Sequence, residues 1–424
     1  MLDTSPPPRS HTPAPQWPYF FTTLAPLALF APFLLGQRVL YWGAPLLQFY
    51  PWRKFALDAI RAGHLPLWNP YLGNGAPLIA NYQSAIFYPP NWLSLLLPLD
   101  YSLSWLAVLH LIWAGAGMVT LARALGLHPL GQAVAGLAFG LSQYLVARVG
   151  FLSINAAAAW LPWVIWSAER LLTADTRPPI RNTQYALLLS LFLSLQLLAG
   201  HAQTTWYTLL ALGAWVVWRT LSQPRPLLSS VIRHSSFVIL SVALAFGLAS
   251  LQLLPTAELL RQSPRAAAAD YEFVATYSFS PWRLLTLLTP DLLGNPARSQ
   301  FYGYGNYWED AIYVGVLPLL LALAVILRSL ASMLRRLVRI QPLSSKDSSA
   351  QSPAPLYPHA PALPHFLAII LLVSLLFALG RNTPIFPFLY RHVPTFDLFQ
   401  APTRMMILFV FALALLAGLG ADRW

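Results

Sequence analysis

In a chain of 424 residues with only 14 acidic side chains, two carboxylates stand side by side at Glu309 and Asp310. A carboxylate can deprotonate a hydroxyl or ligate a divalent cation, and this pair lies where a long hydrophilic segment meets an apolar run. The competing reading makes Asp310 the cap of the following helix and lets Glu309 favour that helix's positive end. His201 and Gln203, within AGHAQ between two apolar runs, offer an imidazole base and an amide partner for hydroxyls. Equally, they form a polar turn that satisfies two helix ends. Glu258, Arg261 and Arg265 recur at three and four residues and so share one helical face. Their guanidiniums fit a phosphate, or Glu258 and Arg261 pair at a surface. Arg404 admits a phosphate contact or a side chain that reaches the interface. Asp58 reads as the i,i+4 partner of Lys54, and no second histidine stands at zinc-ligand spacing from His201.

The stretch Gly63 to Asn91, GHLPLWNPYLGNGAPLIANYQSAIFYPPN, carries five prolines and three glycines, which specify a structured loop. Its aromatics, including Trp68, Tyr71 and Tyr82, can stack on sugar faces or anchor at a membrane interface. Asn69, Asn81 and Gln83 can bind hydroxyls or tie the loop backbone into turns. The stretch contains no acid, so a base must come from elsewhere.

The elements that would position these groups follow from composition. The chain is 57% hydrophobic and 9% charged, with a positive mean hydropathy. Its apolar runs are about 18 to 22 residues long and lack strand alternation, which points to an all-α polytopic membrane protein. Ten spans are expected, near 19–36, 101–121, 131–148, 155–172, 184–200, 204–219, 235–254, 311–327, 365–380 and 404–420, in about ten helices of membrane length. The basic residues then gather in short connections on one side, which places the N-terminus in the cytoplasm. Segments 37–100 and 255–309 become two outer loops, the first with an interfacial helix over Pro51 to Gly63. On that helix Trp52, Phe55, Ala56, Ala59 and Ile60 share an apolar face. Residues 1–18 read as a disordered leader and 344–364 as a disordered Ser/Pro-rich linker, flanking and interrupting a single transmembrane domain over 19–424. The net charge of +12 is scattered rather than striped, so nucleic acid is not an expected partner; the lipid bilayer is. Zero cysteines exclude disulfides and thiolate chemistry.

QFYPW from Gln48, the Gly63 to Asn91 stretch, AGHAQTTWY from Ala199, LQLLPTAELLRQSPR from Leu251, YWEDAIYVGVLPLLLAL from Tyr307 and FQAPTRMMILFVFALALLAGLG from Phe399 occur in that order. Together they resemble the bacterial YfhO-like membrane protein family, which is similar to GT-C type glycosyltransferases. The resemblance implies a bacterial cytoplasmic (inner) membrane, and transfer of a sugar from a polyprenyl-phosphate-linked donor to a cell-envelope acceptor outside the cytoplasm. It implies Glu309 or Asp310 as base or ligand of a divalent cation, and His201 as a further catalytic group. Gln203, Arg261, Arg265, Asn69, Asn81, Gln83 and Trp68 would be substrate contacts. Family members commonly carry Asp four residues before the Gln of the QFYP-like motif, where this chain has Ala44. That departure, with an end at Trp424 directly after a span, also fits a noncatalytic or truncated member. A lipid or polysaccharide transporter is the other class; its marks, ionisable groups inside spans and an internal repeat, are not evident.

Overall fold

The computed structural model describes residues 14–173, 179–222, 227–264, 269–303, 305–338 and 363–422. Among these, thirteen helices have eight residues or more. They are α1 (Trp17–Leu29), α2 (Tyr50–Arg61), α3 (Leu99–Ala124), α4 (Pro129–Gly140), α5 (Leu152–Leu172), α6 (Pro179–Leu198) and α7 (Ala202–Leu221). The remainder are α8 (Leu227–Leu248), α9 (Ser250–Arg261), α10 (Val316–Val338), α11 (Leu363–Ala378), α12 (Ile385–His392) and α13 (Met406–Ala421).

The expectation of about ten transmembrane helices in a GT-C-like arrangement is overturned. Among the described residues three stretches are long and apolar enough to cross a membrane: α3, the Val316–Arg335 part of α10, and α13 with its preceding turn, Pro402–Ala421. A fourth would be the pair Ser235–Leu248 and Ser250–Arg261 counted as one, but the two are bent by 75° at Ala249. The other apolar runs fail for local reasons. The run at 19–36 becomes α1, 13 residues or about 20 Å at 1.5 Å per residue, and then a separate turn over Ala31–Leu34. The run at 131–148 breaks at Leu141 and Ser142, between α4 and a short turn over Gln143–Val146. Helix α5 has the length, but it carries Asn155, Glu169 and Arg170. Helix α11 has 16 residues. The multi-pass inner-membrane localisation with a cytoplasmic N-terminus rested on the parity of ten spans and falls with that count. The leader call at 1–18 lies outside the described residues up to 13, as does the linker call from 344 to 362; Leu363 and Pro364 already belong to α11.

Helix α3 lies between α4 and α5, with α1 against both α3 and α4; α5 also carries α6 and α7, and α6 carries α8. Helix α13 packs on α4, α10 and α11 and joins the later helices to the earlier ones. A helix apolar on every side must be surrounded; 89% of Pro402–Ala421 is buried within the protein, against 22% of Val316–Arg335. Close approach explains the first value. A Cβ on Gly418 would stand 2.7 Å from the carbonyl oxygen of Gly131 in α4, and one on Gly420 would stand 2.5 Å from that of Leu321 in α10. On α10, Leu319, Ala322 and Val325 are buried, while Leu317, Leu320, Leu323, Leu327, Leu330 and Leu334 recur every three or four residues on the exposed side.

The first hydrophilic segment is built rather than loose. It contains a π turn at Pro45–Phe49 leading into α2, and a two-residue hairpin in which Trp68 faces Pro77 and Asn69 faces Ala76. The helix expected over Pro51 to Gly63 is α2, and Lys54 and Asp58 pair on its exposed side. Its buried face is set one residue away from the expected one and consists of Arg53, Ala56 and Leu57. Gln252 and Thr256 of α9 donate to the backbone oxygens of Ile79 and Ala80 at 2.9 Å each, and Tyr82 Oη donates to Leu197 O at 2.6 Å.

Gly418→Val should therefore overpack the α4–α13 contact and destabilise the fold by about 1–3 kcal/mol. Gly213→Ala in α7, where a Cβ meets nothing within 4 Å, should stabilise it by about 0.5–1 kcal/mol. Thermal unfolding of the two purified variants measures both directions.

Candidate functional site

A buried charged cluster joins three distant parts of the chain. Glu309 lies in the turn before α10, Arg148 in the turn after Gln143–Val146, and Arg404 in the 3-10 turn Pro402–Met405 that opens α13. Ala401 adopts φ 64° just before that turn, and Ala401 N donates to Val274 O at 3.1 Å. This backbone reversal aims Arg404 at Glu309. Arg404 Nη2 donates to Glu309 Oε1 at 2.7 Å and Nε reaches both carboxylate oxygens at 3.1 Å. Arg148, fully buried, donates through Nη2 to the backbone oxygen of Glu309 at 3.0 Å and to Oε2 at 3.4 Å, and its guanidinium lies over the Tyr144 ring at 3.9 Å. Tyr144 Oη in turn donates to Arg404 O at 3.1 Å.

Gln203 belongs to this cluster. Its Oε1 accepts from Arg404 Nη1 at 3.2 Å, and its Nε2 donates to Gln400 O at 2.6 Å and to Tyr207 Oη at 2.9 Å. Asp310 stands beside it, ion-paired with the buried Arg283 and accepting from Thr403 Oγ1 at 3.2 Å. His201 caps α7: its Nδ1 accepts from Thr204 N at 3.2 Å, so the neutral ring carries its proton on Nε2. Burial, reinforced by Arg404, pushes the His201 imidazole down to about 3. Burial alone would raise the Glu309 carboxyl, but the Arg404 and Arg148 guanidiniums outweigh it and hold the group below the ordinary carboxylate value.

These contacts correct the roles implied by the resemblance. Helix α10 begins at Val316, so Asp310 is not its cap. Glu309 is locked between two guanidiniums with its basicity reduced, and so is poorly placed to take a proton from a hydroxyl. A divalent cation would have to displace Arg404 from Glu309 or Arg283 from Asp310, and among the described residues no three His, Asp or Glu side chains converge. The carboxylates therefore do not fit a metal. With the GT-C-like architecture absent as well, the reading of the chain as a polyprenyl-phosphate-dependent glycosyltransferase is overturned.

The other expected contacts do not join the cluster. Asn69 Oδ1 accepts from Tyr71 N at 3.0 Å and Asn81 Oδ1 from Gln83 N at 3.2 Å, so both amides form the turns of their own loop. The Gln83 side chain is exposed, and Trp68, half exposed, covers Gly75. Arg261 is exposed at the end of α9, and Arg265 lies outside the described residues. Arg148 was missed, although a lone arginine inside an apolar run is itself a signal. Thr403 and Arg283 carried no such mark.

Beside the charged cluster opens a cleft of about 560 Å³. The chain neighbours of Arg148 and Glu309, Ala147, Val149 and Trp308, form one side of it; Phe33, Tyr41, Trp42 and Phe151 supply further aromatic lining. Trp308 sits 6.2 Å from Trp42 and 5.2 Å from Phe151 between ring centres. Ala44 and Gln48 both line this cleft. No family model, curated protein or solved structure matches the chain.

Glu309→Gln should leave two buried guanidiniums without a counter-charge and cost about 3–5 kcal/mol, whereas Asp58→Asn at the exposed Lys54 pair should cost under about 1 kcal/mol; chemical denaturation compares them. The pH dependence has a defined sign. His201 binds a proton near pH 6.5 when unfolded but only near 3 when folded, so stability falls as pH drops below 6.5, by roughly 1.4 kcal/mol per pH unit for one proton. Glu309, depressed in the fold, adds its loss below its ordinary value of 4.5 as pH falls towards its folded one. His201→Asn should flatten the slope between pH 6 and 5 relative to the unsubstituted chain, read from unfolding midpoints.

Proposed function

We propose that the chain is a lipid-binding helical protein that holds an acyl chain in the aromatic cleft. The observation that carries this reading is the cleft itself. At about 560 Å³ it falls within the range of roughly 300–1,000 Å³ typical of ligand sites, and its lining is predominantly aromatic and aliphatic. Ala147, Val149 and Trp308, chain neighbours of Arg148 and Glu309, tie one side of it to the ion-paired cluster. Ala44 matters here in a different way from a missing base. A carboxylate at that position would put an unpaired charge into an apolar lining, and a methyl group keeps the cleft receptive to hydrocarbon.

A lipid bilayer is the source proposed for such a ligand. The exposed leucine stripe of α10 and the exposed Ile239, Leu240, Leu244 and Phe246 of α8 give the protein apolar faces that hydrocarbon would cover.

Native mass spectrometry of the full chain, purified in a nonionic detergent and then given dioleoyl phosphatidylcholine, tests the reading. The unsubstituted protein should retain the lipid, and Ala44→Trp, which places an indole in the cleft, should lose most of that adduct. Equal retention by both proteins overturns the cleft as the site.

A further inference from the structure

A second pocket shares no lining residue with the cleft, and it contains an unbalanced charge. It is about 40 Å³ in volume and is formed between α2 and residues 84–95, with Trp52, Ala56, Leu57 and Ile60 on one side and Ala85, Ile86, Trp92 and Leu95 on the other. Arg53 projects into it. That side chain is only 9% exposed and has one hydrogen bond, from Nη2 to the neutral Asn91 Oδ1 at 2.8 Å. Its Nε and Nη1 are buried and without a partner, and it has no ion pair among the described residues. Burial pushes its guanidinium down to about 10, so it stays charged at neutral pH. The other buried arginines among the described residues each meet a carboxylate: Arg148 has Glu309, Arg219 has Glu169 and Arg283 has Asp310. A buried cation with no counter-charge costs several kcal/mol, and the missing element is an anion.

We propose that this pocket is a binding site for the carboxylate head of a small amphiphile, with the carboxylate on Arg53 and the apolar tail leaving past Ile60, Trp92 and Leu95. Carboxylate is favoured over phosphate by the donors on hand. A guanidinium offers a flat fork that matches two carboxylate oxygens. A phosphate brings more oxygens, and the neighbouring donors are already engaged: Asn91 Nδ2 with Ala85 O at 2.9 Å, Trp92 Nε1 with Ile86 O at 3.0 Å, and Ser84 Oγ with Asn81 O at 2.7 Å. The volume limits the enclosed part to a head of a few atoms. The apolar mouth, with Ile60, Trp92 and Leu95 each exposed by between 37% and 50%, suits the first methylenes of a tail.

The site is separate from the aromatic cleft and does not depend on its being a lipid site. Isothermal titration calorimetry of the full chain with octanoate, 1-octanol and inorganic phosphate tests it. Octanoate should bind, and both others should bind at least tenfold more weakly. Arg53→Gln should weaken octanoate at least tenfold without lowering the thermal midpoint, because it removes an uncompensated charge. Leu95→Trp, which closes the mouth and keeps Arg53, should weaken octanoate similarly, so the test survives if either variant fails to fold. Phosphate binding as tightly as octanoate overturns the carboxylate assignment. Octanoate binding that survives both substitutions, or is lost only in Ala44→Trp, places it in the cleft and overturns the site.

Discussion

The Glu309 carboxylate held between Arg148 and Arg404 is the interaction on which the arrangement depends. A charge at 2% exposure is tolerable only where opposite charge and hydrogen bonds replace water. Here the replacement comes from residues 161 positions earlier and 95 later in the chain. Because Arg404 opens α13, Arg148 closes the turn after α4, and Gln203 begins α7, satisfying one carboxylate fixes the relative placement of three helices. The same requirement explains Ala401: its left-handed φ of 64° is unfavourable for alanine, and it turns the chain so that Arg404 faces the carboxylate.

Around this cluster the apolar residues divide by neighbour rather than by composition. Helices α10 and α13 are both long and apolar, yet one has most of its surface open and the other almost none. Glycines at 131, 418 and 420 allow the backbones of α4, α13 and α10 to meet, and α13 becomes the centre of its group. The exposed leucines of α10 and the exposed apolar residues of α8 then form the faces proposed to meet lipid, while the aromatic cleft and the Arg53 pocket lie under the first hydrophilic segment and its neighbours.

That first segment shows how polar groups can serve structure in an apolar protein. Tyr88 Oη lies 2.8 Å from His110 Nε2 and accepts from Trp160 Nε1 at 2.9 Å, while His110 Nδ1 faces Leu106 O at 2.6 Å. The carbonyl can only accept, so Nδ1 carries the proton, Nε2 accepts from Tyr88, and the chain of bonds closes without a free group. It pins the segment to α3 and α5, as Gln252 and Thr256 pin it to α9. Asn69 and Asn81 are engaged in turns, whereas Trp68, Tyr71 and Gln83 are exposed.

By itself the sequence determined that the chain is mostly helical, that α2 would form between Pro51 and Gly63, and that Gly63 to Asn91 would be an ordered segment; it singled out Glu309 and Gln203 separately, and only folding joins them through Arg404. Those features are local: apolar runs, the restricted φ of proline, and acids too scarce to be incidental. Tertiary structure alone decided how many apolar runs became long helices, because breaks at Phe30, Leu141 and Ala249 and the embedded Asn155 and Glu169 depend on what packs beside them. It also decided what the acids do. Protonation and metal binding by a carboxylate depend on the charges within a few ångströms, and Arg148, Arg283 and Arg404 reach Glu309 and Asp310 only when the chain has folded. Arg53 is the converse case, a helix residue like its neighbours in sequence, made distinctive by the burial of its charge without a counter-charge.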